Sequence, residues 1–187
     1  MKLNFKNIND NDLYKLLNDK SKEVAEKSFA ELYGRYSRRL YLYCRKLVGD
    51  ANIAKDAFQD TFVTFFNSSK EYKEIPNISA YLYRVAHNFC LNSLKKERVH
   101  STIEDYMVPS MDFNPESDEL LGLIKTALEL LPLEFRVVFV LKEYEGMTYV
   151  EIADILAIPQ TTVKIRSHRA RQKIRKVLAP YLADLSK

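Results

Sequence analysis

Cationic side chains are concentrated in the last part of the chain, where residues 158–187 hold 8 Lys or Arg against 1 Asp or Glu. Arg and Lys side chains bind phosphate oxygens, and polar side chains beside them can reach base edges. Such a run predicts a surface for a nucleic acid, although charge runs also form solvated helix faces. The cationic positions here are Lys164, Arg166, His168, Arg169, Arg171, Lys173 and Arg175.

Two helical patterns joined by a tight turn position these cations. Thr148 and Glu151 have the spacing of a capping box, which starts a short helix with apolar positions at helical spacing. Ile158 and Pro159 interrupt the pattern, and a second helix follows. We therefore predict a helix-turn-helix whose second helix meets phosphates and base edges. The alternative is a solvated C-terminal helix that closes a small bundle. The inward positions predicted for the second helix are Val163, Ala170, Ile174 and Leu178.

Composition and charge restrict the class of protein. The chain has 187 residues, of which 47% are hydrophobic, with 4 Gly and 6 Pro, and this suits a largely helical protein. No segment resembles a membrane span or an export signal, so we expect a cytoplasmic protein that does not insert into membranes. Cys44 and Cys90 lie in apolar helical patterns, which favours buried structural thiols over a disulfide or a metal site. We expect no catalytic residue, no metal and no cofactor.

The charges are segregated along the chain. Residues 1–100 hold 18 Lys or Arg against 12 Asp or Glu, a net charge of +6, whereas residues 101–157 hold 3 against 12, a net charge of −9. Residues 158–187 carry +7. A polyanion would therefore meet the chain at two separated basic regions.

The apolar periodicity predicts an all-α fold with two helical domains. In the first domain, residues 1–97, we predict a helix from Phe29 to Gly49, a second from about Asn52, a loop over 67–78 and a third helix over 79–97. Residues 98–117 break every periodicity and are the predicted linker. The second domain, residues 118–187, holds four predicted helices that include the helix-turn-helix. Predicted inward positions are Ala54, Ala57, Phe58, Thr61, Phe62 and Phe65 on the second helix, and Leu82, Val85, Ala86, Phe89 and Leu94 on the third.

An acidic stripe lies on the second predicted helix, where Asp56, Gln59, Asp60 and Val63 recur at three and four residues. It is either solvated or a docking surface for a basic partner helix. A catalytic carboxylate pair is the weakest reading, because no nucleophile or His accompanies it.

The third predicted helix and the loop before it form a second candidate nucleic-acid surface. On the helix, cationic and amide groups share one side. The alternative interpretation is a solvated face that only aids solubility. In the loop, an aromatic group between two lysines is what an unstacked base needs for stacking and backbone contact. The helix residues are Arg84, His87, Asn88, Asn92, Lys95 and Lys96, and those of the loop are Asn67, Lys70, Tyr72, Lys73 and Asn77.

Three ordered motifs resemble those of bacterial sigma-70-type sigma factors. The segments ANIAKDAFQDTFVTFF and SAYLYRVAHNFCLNSLKK are similar to motifs of sigma domain two, and the run from LPLEFR to RARQKIR is similar to sigma domain four. The resemblance extends from about Phe29 to Leu178, interrupted only by the linker. Because only these two domains are present, the chain resembles the compact extracytoplasmic-function group.

The resemblance implies roles for residues of this chain. Asp56, Gln59, Asp60 and Val63 would dock on the clamp coiled coil of the polymerase β′ subunit, and the acidic linker would thread toward the RNA path. The partners implied are core RNA polymerase, promoter DNA and an anti-sigma factor. The −10 element would be read and melted by Asn67, Lys70, Tyr72, Lys73, Asn77, Arg84, His87, Asn88, Lys95 and Lys96, with one flipped base in a pocket of the loop. The −35 element would be contacted by Gln160, Thr161, Lys164, Ile165, His168, Arg169 and Arg171.

Some positions depart from the family pattern. Tyr81 replaces a Trp, and His87 stands where Arg is common, which would make a phosphate contact there depend on protonation. Ala157 replaces a Gly, and we expect a strained residue if the turn keeps a positive φ. Ile165 and Ser167 look exchanged, which would turn Ile165 toward DNA and Ser167 toward the core. Two alternatives are a helix-turn-helix regulator that is not a polymerase subunit and a helical adaptor that binds polymerase without selecting promoters.

Overall fold

The computed structural model describes residues 4–71, 74–100 and 119–184, without the side chains of 97–100, 119–121, 125 and 180–184. Within these residues the chain is helical and forms no strand. It divides into two compact units, Met1–Ser93 and Leu94–Lys187. The all-α, two-domain prediction is confirmed. After a 3₁₀ turn at Phe5–Asn7, the helices are α1 Asp10–Leu16, α2 Lys22–Val48, α3 Ala51–Lys70, α4 Ile78–His100, α5 Glu119–Glu129, α6 Leu133–Phe139, α7 Tyr149–Leu156 and α8 Gln160–Asp184.

Local capping sets the connection between α2 and α3. Gly49 ends α2 with φ of 79°, a conformation that L side chains rarely adopt, as its position in the sequence predicted. Asp50 then caps α3, because its carboxylate accepts from the backbone N–H groups of Asn52 and Ile53 at 2.7 and 2.9 Å. Two adjacent residues therefore stop one long helix and start the next.

The core of the first unit lies between α2, α3 and α4, with α1 packed against it. Leu32, Leu40 and Leu47 of α2 are buried at intervals of about two turns. The predicted α3 stripe is confirmed except that Phe58 is only half-buried. Apolar side chains at helical spacing thus give α2, 27 residues long, one buried stripe.

Three predicted boundaries are wrong. Helix α2 begins at Lys22 rather than Phe29, and α3 continues through Asn67 to Lys70, so both residues lie in helix rather than in the predicted loop. Helix α4 extends to His100, beyond the predicted start of the linker at 98. Polar residues continue these helices because helix propensity and tertiary packing do not require an apolar residue at every turn. Most of the predicted linker, residues 101–118, lies outside the described residues.

The buried face of α4 is rotated from the predicted one. Leu82 and Ala86 are buried as predicted, whereas Val85, Phe89 and Leu94 are only half-buried. The remaining buried positions with described side chains are Ile78, Ala80, Tyr83, His87 and Cys90. Apolar residues occur on several sides of α4, so periodicity alone does not define one inward stripe.

The second unit is built around α8, against which α5, α6 and α7 pack. Leu128 of α5, Leu131 just beyond its end and Phe135 of α6 form a cluster with Ala170 and Ile174 of α8. The chain leaves α6 through a π-helical turn at Val140–Tyr144. Arg136 satisfies the free carbonyls at the end of α5, donating to Glu129 O at 2.6 Å and Leu131 O at 3.1 Å.

Both cysteines are free and buried, as predicted. A hydrogen bond with Cys44, together with burial, raises the pKa of the Cys90 thiol. Such a thiol is a poor nucleophile, because the thiolate is the reactive form. Within the described part of the chain, no helix combines the length and the apolar character needed to cross a bilayer.

Candidate nucleic-acid interface

The predicted helix-turn-helix is formed by α7, a short turn and α8. The capping box is confirmed: Thr148 Oγ1 accepts from the Glu151 backbone N–H at 3.2 Å, and Glu151 Oε2 accepts from the Thr148 N–H at 2.8 Å. Ala157 ends α7 in the left-handed region with φ of 52° and ψ of 44°. The turn therefore keeps the backbone geometry that the sequence analysis associated with a Gly, and Ala157 carries the strain.

Helix α8 has one buried and one exposed face. Val163 and Ala170 are fully buried, Ile174 is buried, and Leu178 is half-buried against the same core. The expected exchange is confirmed, because Ser167 is 1% exposed and Ile165 is 52% exposed. The candidates for the −35 element all lie on exposed positions of the other face: Gln160, Thr161, Lys164, Ile165, His168, Arg169 and Arg171.

Two cations of α8 are held by acidic residues of the same unit. Arg171 donates from Nε and Nη2 to Glu143 Oε1 at 2.9 and 2.7 Å, and Arg166 Nη2 lies 2.7 Å from Glu134 Oε2. The bond to Glu143 raises the pKa of Arg171. By contrast, Lys164, His168 and Arg169 form no ion pair with any described residue. A phosphate would meet the Lys164 ammonium and the Arg169 guanidinium without first displacing a carboxylate.

A polar contact that the sequence did not predict links the two helices. The Ser167 hydroxyl hydrogen-bonds the Tyr149 hydroxyl and lowers the pKa of that phenol, and Arg171 acts in the same direction. Tyr149 is the first residue of α7, so the contact ties the start of that helix to the middle of α8. Ser167 at an otherwise apolar position of α8 indicates that a polar contact exists. Nothing in the sequence identifies Tyr149, 18 residues earlier, as its partner.

The acidic stripe is exposed along α3. Asp56, Gln59, Asp60 and Val63 all lie on the surface, and Val63 is 59% exposed. Phe58 and Phe62 of the same helix pack on the Tyr33 ring of α2, with ring centroids 6.0 and 4.8 Å apart.

The candidates between α3 and α4 are only partly brought together. Asn67 and Lys70 are exposed in the last turns of α3, and the Lys70 ammonium lies 4.5 Å from the centroid of the Phe66 ring. Asn77 caps α4, because its Oδ1 accepts from the Ala80 N–H at 2.9 Å. Tyr72 and Lys73 lie outside the described residues.

Along α4, Asn88, Lys95 and Lys96 are exposed and Arg84 is half-buried. The placement of His87 on this polar side is wrong. His87 is 8% exposed, and its Nδ1 lies 3.2 Å from the Tyr43 hydroxyl. Burial lowers its pKa to about 4, so the ring is neutral at physiological pH and shares one hydrogen bond with the tyrosine hydroxyl.

Two asparagines of the N-terminal segment contact this region, and the sequence analysis missed them. Asn11 Nδ2 donates to Pro76 O at 3.1 Å, and Asn18 Nδ2 donates to Ser69 O. The contacts join residues 65 and 51 positions apart, a separation at which periodicity carries no signal. Across the described residues, no group of His, Cys, Asp and Glu is arranged to hold a metal ion.

Comparison with known proteins gives the family of the two units. The Sigma-70 region 2 family matches residues 32–99, and the Sigma-70 region 4 family matches residues 121–174. These ranges include α3, α4, α7 and the first half of α8.

Curated relatives extend over most of the chain. The ECF RNA polymerase sigma factor SigE of Mycolicibacterium smegmatis is 34% identical over 87% of this chain and 66% of its own length. SigW of Bacillus subtilis, also an ECF RNA polymerase sigma factor, is 27% identical over 84% of this chain and 92% of its own length. The chain thus spans 66% of the length of SigE and 92% of the length of SigW.

Two solved structures share the fold. The sigma factor RpoE in complex with the anti-sigma factor NepR from Bartonella quintana has a TM-score of 0.70 at 22% identity, covering 82% of this chain and 98% of that one. CnrH in complex with the cytosolic domain of CnrY has a TM-score of 0.67 at 21% identity, covering 91% and 97%. With both family regions in order and relatives matched along most of its length, the chain belongs to the sigma-70 family of sigma factors, in the extracytoplasmic-function group.

Proposed function

We propose that the chain acts as a promoter-recognition subunit in which each unit contacts a different DNA state. The observation that carries this proposal is the two-faced α8: its apolar side is buried, and every −35 candidate is exposed. Lys164 and Arg169 contact phosphates of the duplex, and Ile165 meets the methyl group of a thymine in the major groove. His168 lies between them on the same exposed face.

The N-terminal unit docks on core polymerase through the acidic stripe of α3. Its carboxylates complement a basic helix, and the exposed Val63 supplies apolar area that lies beside Asp60. The family resemblance identifies the partner as the clamp coiled coil of the β′ subunit. Because Asp56 and Asp60 are exposed, the interaction depends on ionic strength.

The same unit holds the unpaired −10 strand. Asn88, Lys95 and Lys96 are exposed on α4, and Asn67 and Lys70 are exposed in the last turns of α3. Cations grip the strand through its phosphates, while amide groups discriminate base edges. The acidic linker of residues 98–117, by family resemblance, follows the RNA path.

The chain supplies binding free energy, and polymerase performs the chemistry. It works in the cytoplasm, where bacterial core polymerase and promoter DNA are found. An anti-sigma factor is a further proposed partner, since both solved structures of this fold include a second protein, which in the RpoE complex is the anti-sigma factor NepR. Such a partner would cover surfaces that otherwise meet polymerase.

Run-off transcription tests the proposal. The full chain is added to core polymerase on a panel of genomic promoter fragments, with core polymerase alone as the control. We expect defined transcripts only with the chain present. A chain that binds promoter fragments but never binds core polymerase would instead be a helix-turn-helix regulator, and the proposal would fail.

A further inference from the structure

Arg171 lies on the same face of α8 as two free cations, but a carboxylate of the same unit holds it. Lys164, His168 and Arg171 recur at four and three residues, so they share one side of the helix, and all three are exposed. Lys164 and His168 form no ion pair with any described residue. Arg171, by contrast, donates from Nε and Nη2 to Glu143 Oε1 at 2.9 and 2.7 Å. One cation of the proposed duplex surface is therefore already neutralised.

The turn that carries Glu143 is fixed in place. Glu143 belongs to the π-helical turn Val140–Tyr144, whose first two residues are fully buried. The ammonium of Lys142, the preceding residue, donates to Met147 O at 3.0 Å and lies 4.9 Å from the centroid of the Tyr149 ring. These contacts hold the backbone of the turn, so the carboxylate stays within reach of its partner on α8.

The ion pair itself is exposed. The Arg171 side chain is 50% exposed and the Glu143 side chain 37%, and Tyr149 is a second hydrogen-bond partner of the guanidinium. An exposed pair of this kind changes an equilibrium only a few-fold, because water and salt compete with it. A phosphate that approaches Arg171 nevertheless meets a carboxylate of the same charge, which must be displaced or tolerated. Either event lowers the affinity for DNA.

Helix α8 carries a second ion pair of the same kind on its other side. Arg166 Nη2 lies 2.7 Å from Glu134 Oε2, the same distance that separates Arg171 Nη2 from its carboxylate. Arg166 is two residues from both Lys164 and His168, which places it on the opposite side of a helix with 3.6 residues per turn. The two pairs therefore differ in the face of α8 on which they lie, and the second serves as a control for the first.

We propose that Glu143 is an affinity-determining residue that withholds Arg171 from the phosphates of duplex DNA. Its carboxylate occupies guanidinium donors that a phosphate oxygen would otherwise bind, so α8 makes fewer phosphate contacts than its cations allow. The inference rests on the proposed function of the second unit. It assigns a role in DNA binding to the π-helical turn, which holds none of the candidate DNA contacts.

The test measures binding of the full chain to a duplex promoter fragment, by fluorescence anisotropy at several salt concentrations. Glu143→Gln removes the charge and keeps the shape of the side chain. We expect the affinity at low salt to rise about threefold to fivefold, and the slope of log K against log salt to steepen by about 0.9, the gain of one phosphate contact. An unrelated duplex should gain by the same factor, because phosphate contacts carry no sequence information. The double variant Glu143→Gln, Arg171→Ala should lose both gains.

Two further variants separate the ion pair from net charge and from folding. Glu134→Gln makes the same change of charge and breaks the pair on the opposite side of α8, so its affinity and salt slope should remain close to those of the wild type. Glu143→Asp keeps the net charge but withdraws the carboxylate from the guanidinium, and its slope should steepen part of the way. Thermal unfolding midpoints close to that of the wild type are expected for each variant.

The outcomes separate this inference from the proposed function. If Glu143→Gln and Glu134→Gln raise the affinity equally, net charge alone acts and the inference is overturned. If Glu143→Gln lowers the affinity, Glu143 instead orients Arg171 toward a phosphate, and the inference is again wrong. In both cases the wild type binds duplex DNA, so the proposed function stands. If the wild type does not bind the duplex at any salt concentration, the proposed function of the second unit fails, and this inference fails with it.

Discussion

Helices α8 and α4 carry the two proposed DNA surfaces, and the two helices differ in how their apolar and polar residues are arranged. On α8 the buried positions are apolar or small, and every proposed contact is exposed. On α4 apolar residues surround the helix, and one proposed contact, His87, is buried against Tyr43. A helix with a single apolar stripe can be read from its sequence, whereas a helix that packs on several sides cannot.

The difference also concerns charge. In the second unit, Glu143 and Glu134 hold Arg171 and Arg166 at the surface, where water still screens the pairs. In the first unit, by contrast, the proposed polar contact His87 is buried in the core as a neutral imidazole. The packing of α4 therefore depends on the protonation state of one buried ring.

The largest expected effect concerns this proton. The pKa of His87 is about 4 in the folded chain against 6.5 when unfolded, so the unfolded state binds the proton first. The stability present above pH 6.5 is lost as pH falls toward 4, by about 2 kcal/mol at pH 5 and about 3 kcal/mol at pH 4. Hydrogen exchange of the full chain at pH 7 and pH 5 measures this loss of stability helix by helix. We expect α2 and α4 to lose protection and α8, whose His168 is exposed, to keep it.

His87→Gln is the matched variant, because a glutamine can accept from the Tyr43 hydroxyl without titrating. It should flatten the pH dependence of α4 protection between pH 6.5 and 4. An unchanged pH dependence in this variant would show that other groups destabilise the unit in acid.

The second prediction addresses which unit meets polymerase. Asp60→Lys places a cation in the acidic stripe and should weaken core binding about tenfold, or about 1.4 kcal/mol. Glu26→Lys is the control, since Glu26 is exposed on α2 and makes the same change of charge away from the stripe. Affinity for core polymerase is measured by fluorescence anisotropy. Equal losses in both variants would mean that net charge, and not the stripe, governs docking.

The third prediction concerns duplex DNA. Lys164→Ala should lower affinity and reduce the slope of log K against log salt by about 0.9, the loss of one phosphate contact. Lys173→Ala is the comparison, because the Lys173 ammonium lies over the Phe135 ring, 5.9 Å from its centroid. We expect the Lys173→Ala slope to match the wild type. If Lys164→Ala leaves the slope unchanged, Lys164 faces solvent in the complex.

The smallest effect is a pair of opposite changes at the two helix ends. Ala157→Gly relieves a left-handed alanine and should stabilise the second unit by about 0.5–1 kcal/mol. Gly49→Ala places a side chain at φ of 79°, where nothing lies within 4 Å of its Cβ, and should destabilise the first unit by about 1 kcal/mol through backbone strain alone. Hydrogen exchange of α7 and α2 amides measures each change. Shifts of the same sign would contradict this account.

Sequence reasoning succeeded where a local rule determines the structure. The Thr148–Glu151 capping box and the positive φ at Gly49 each follow from a few neighbouring residues, and the outward Ile165 follows from its departure from the family pattern. It failed where distant residues decide. His87 is buried beside Tyr43 of another helix and hydrogen-bonds its hydroxyl. Asn18 contacts Ser69, which lies 51 positions away in the sequence. Neither partner is visible in a periodic pattern.

Site-specific photocrosslinking tests the central claim, that the two units contact different DNA states, most directly. A photoreactive residue replaces the exposed Asn88 in one protein and the exposed Ile165 in another, each bound to core polymerase on the same promoter. We predict that the position 165 probe crosslinks upstream duplex before and after opening, and that the position 88 probe crosslinks the downstream non-template strand only after opening. Crosslinks from both probes to one duplex segment, independent of opening, would contradict it.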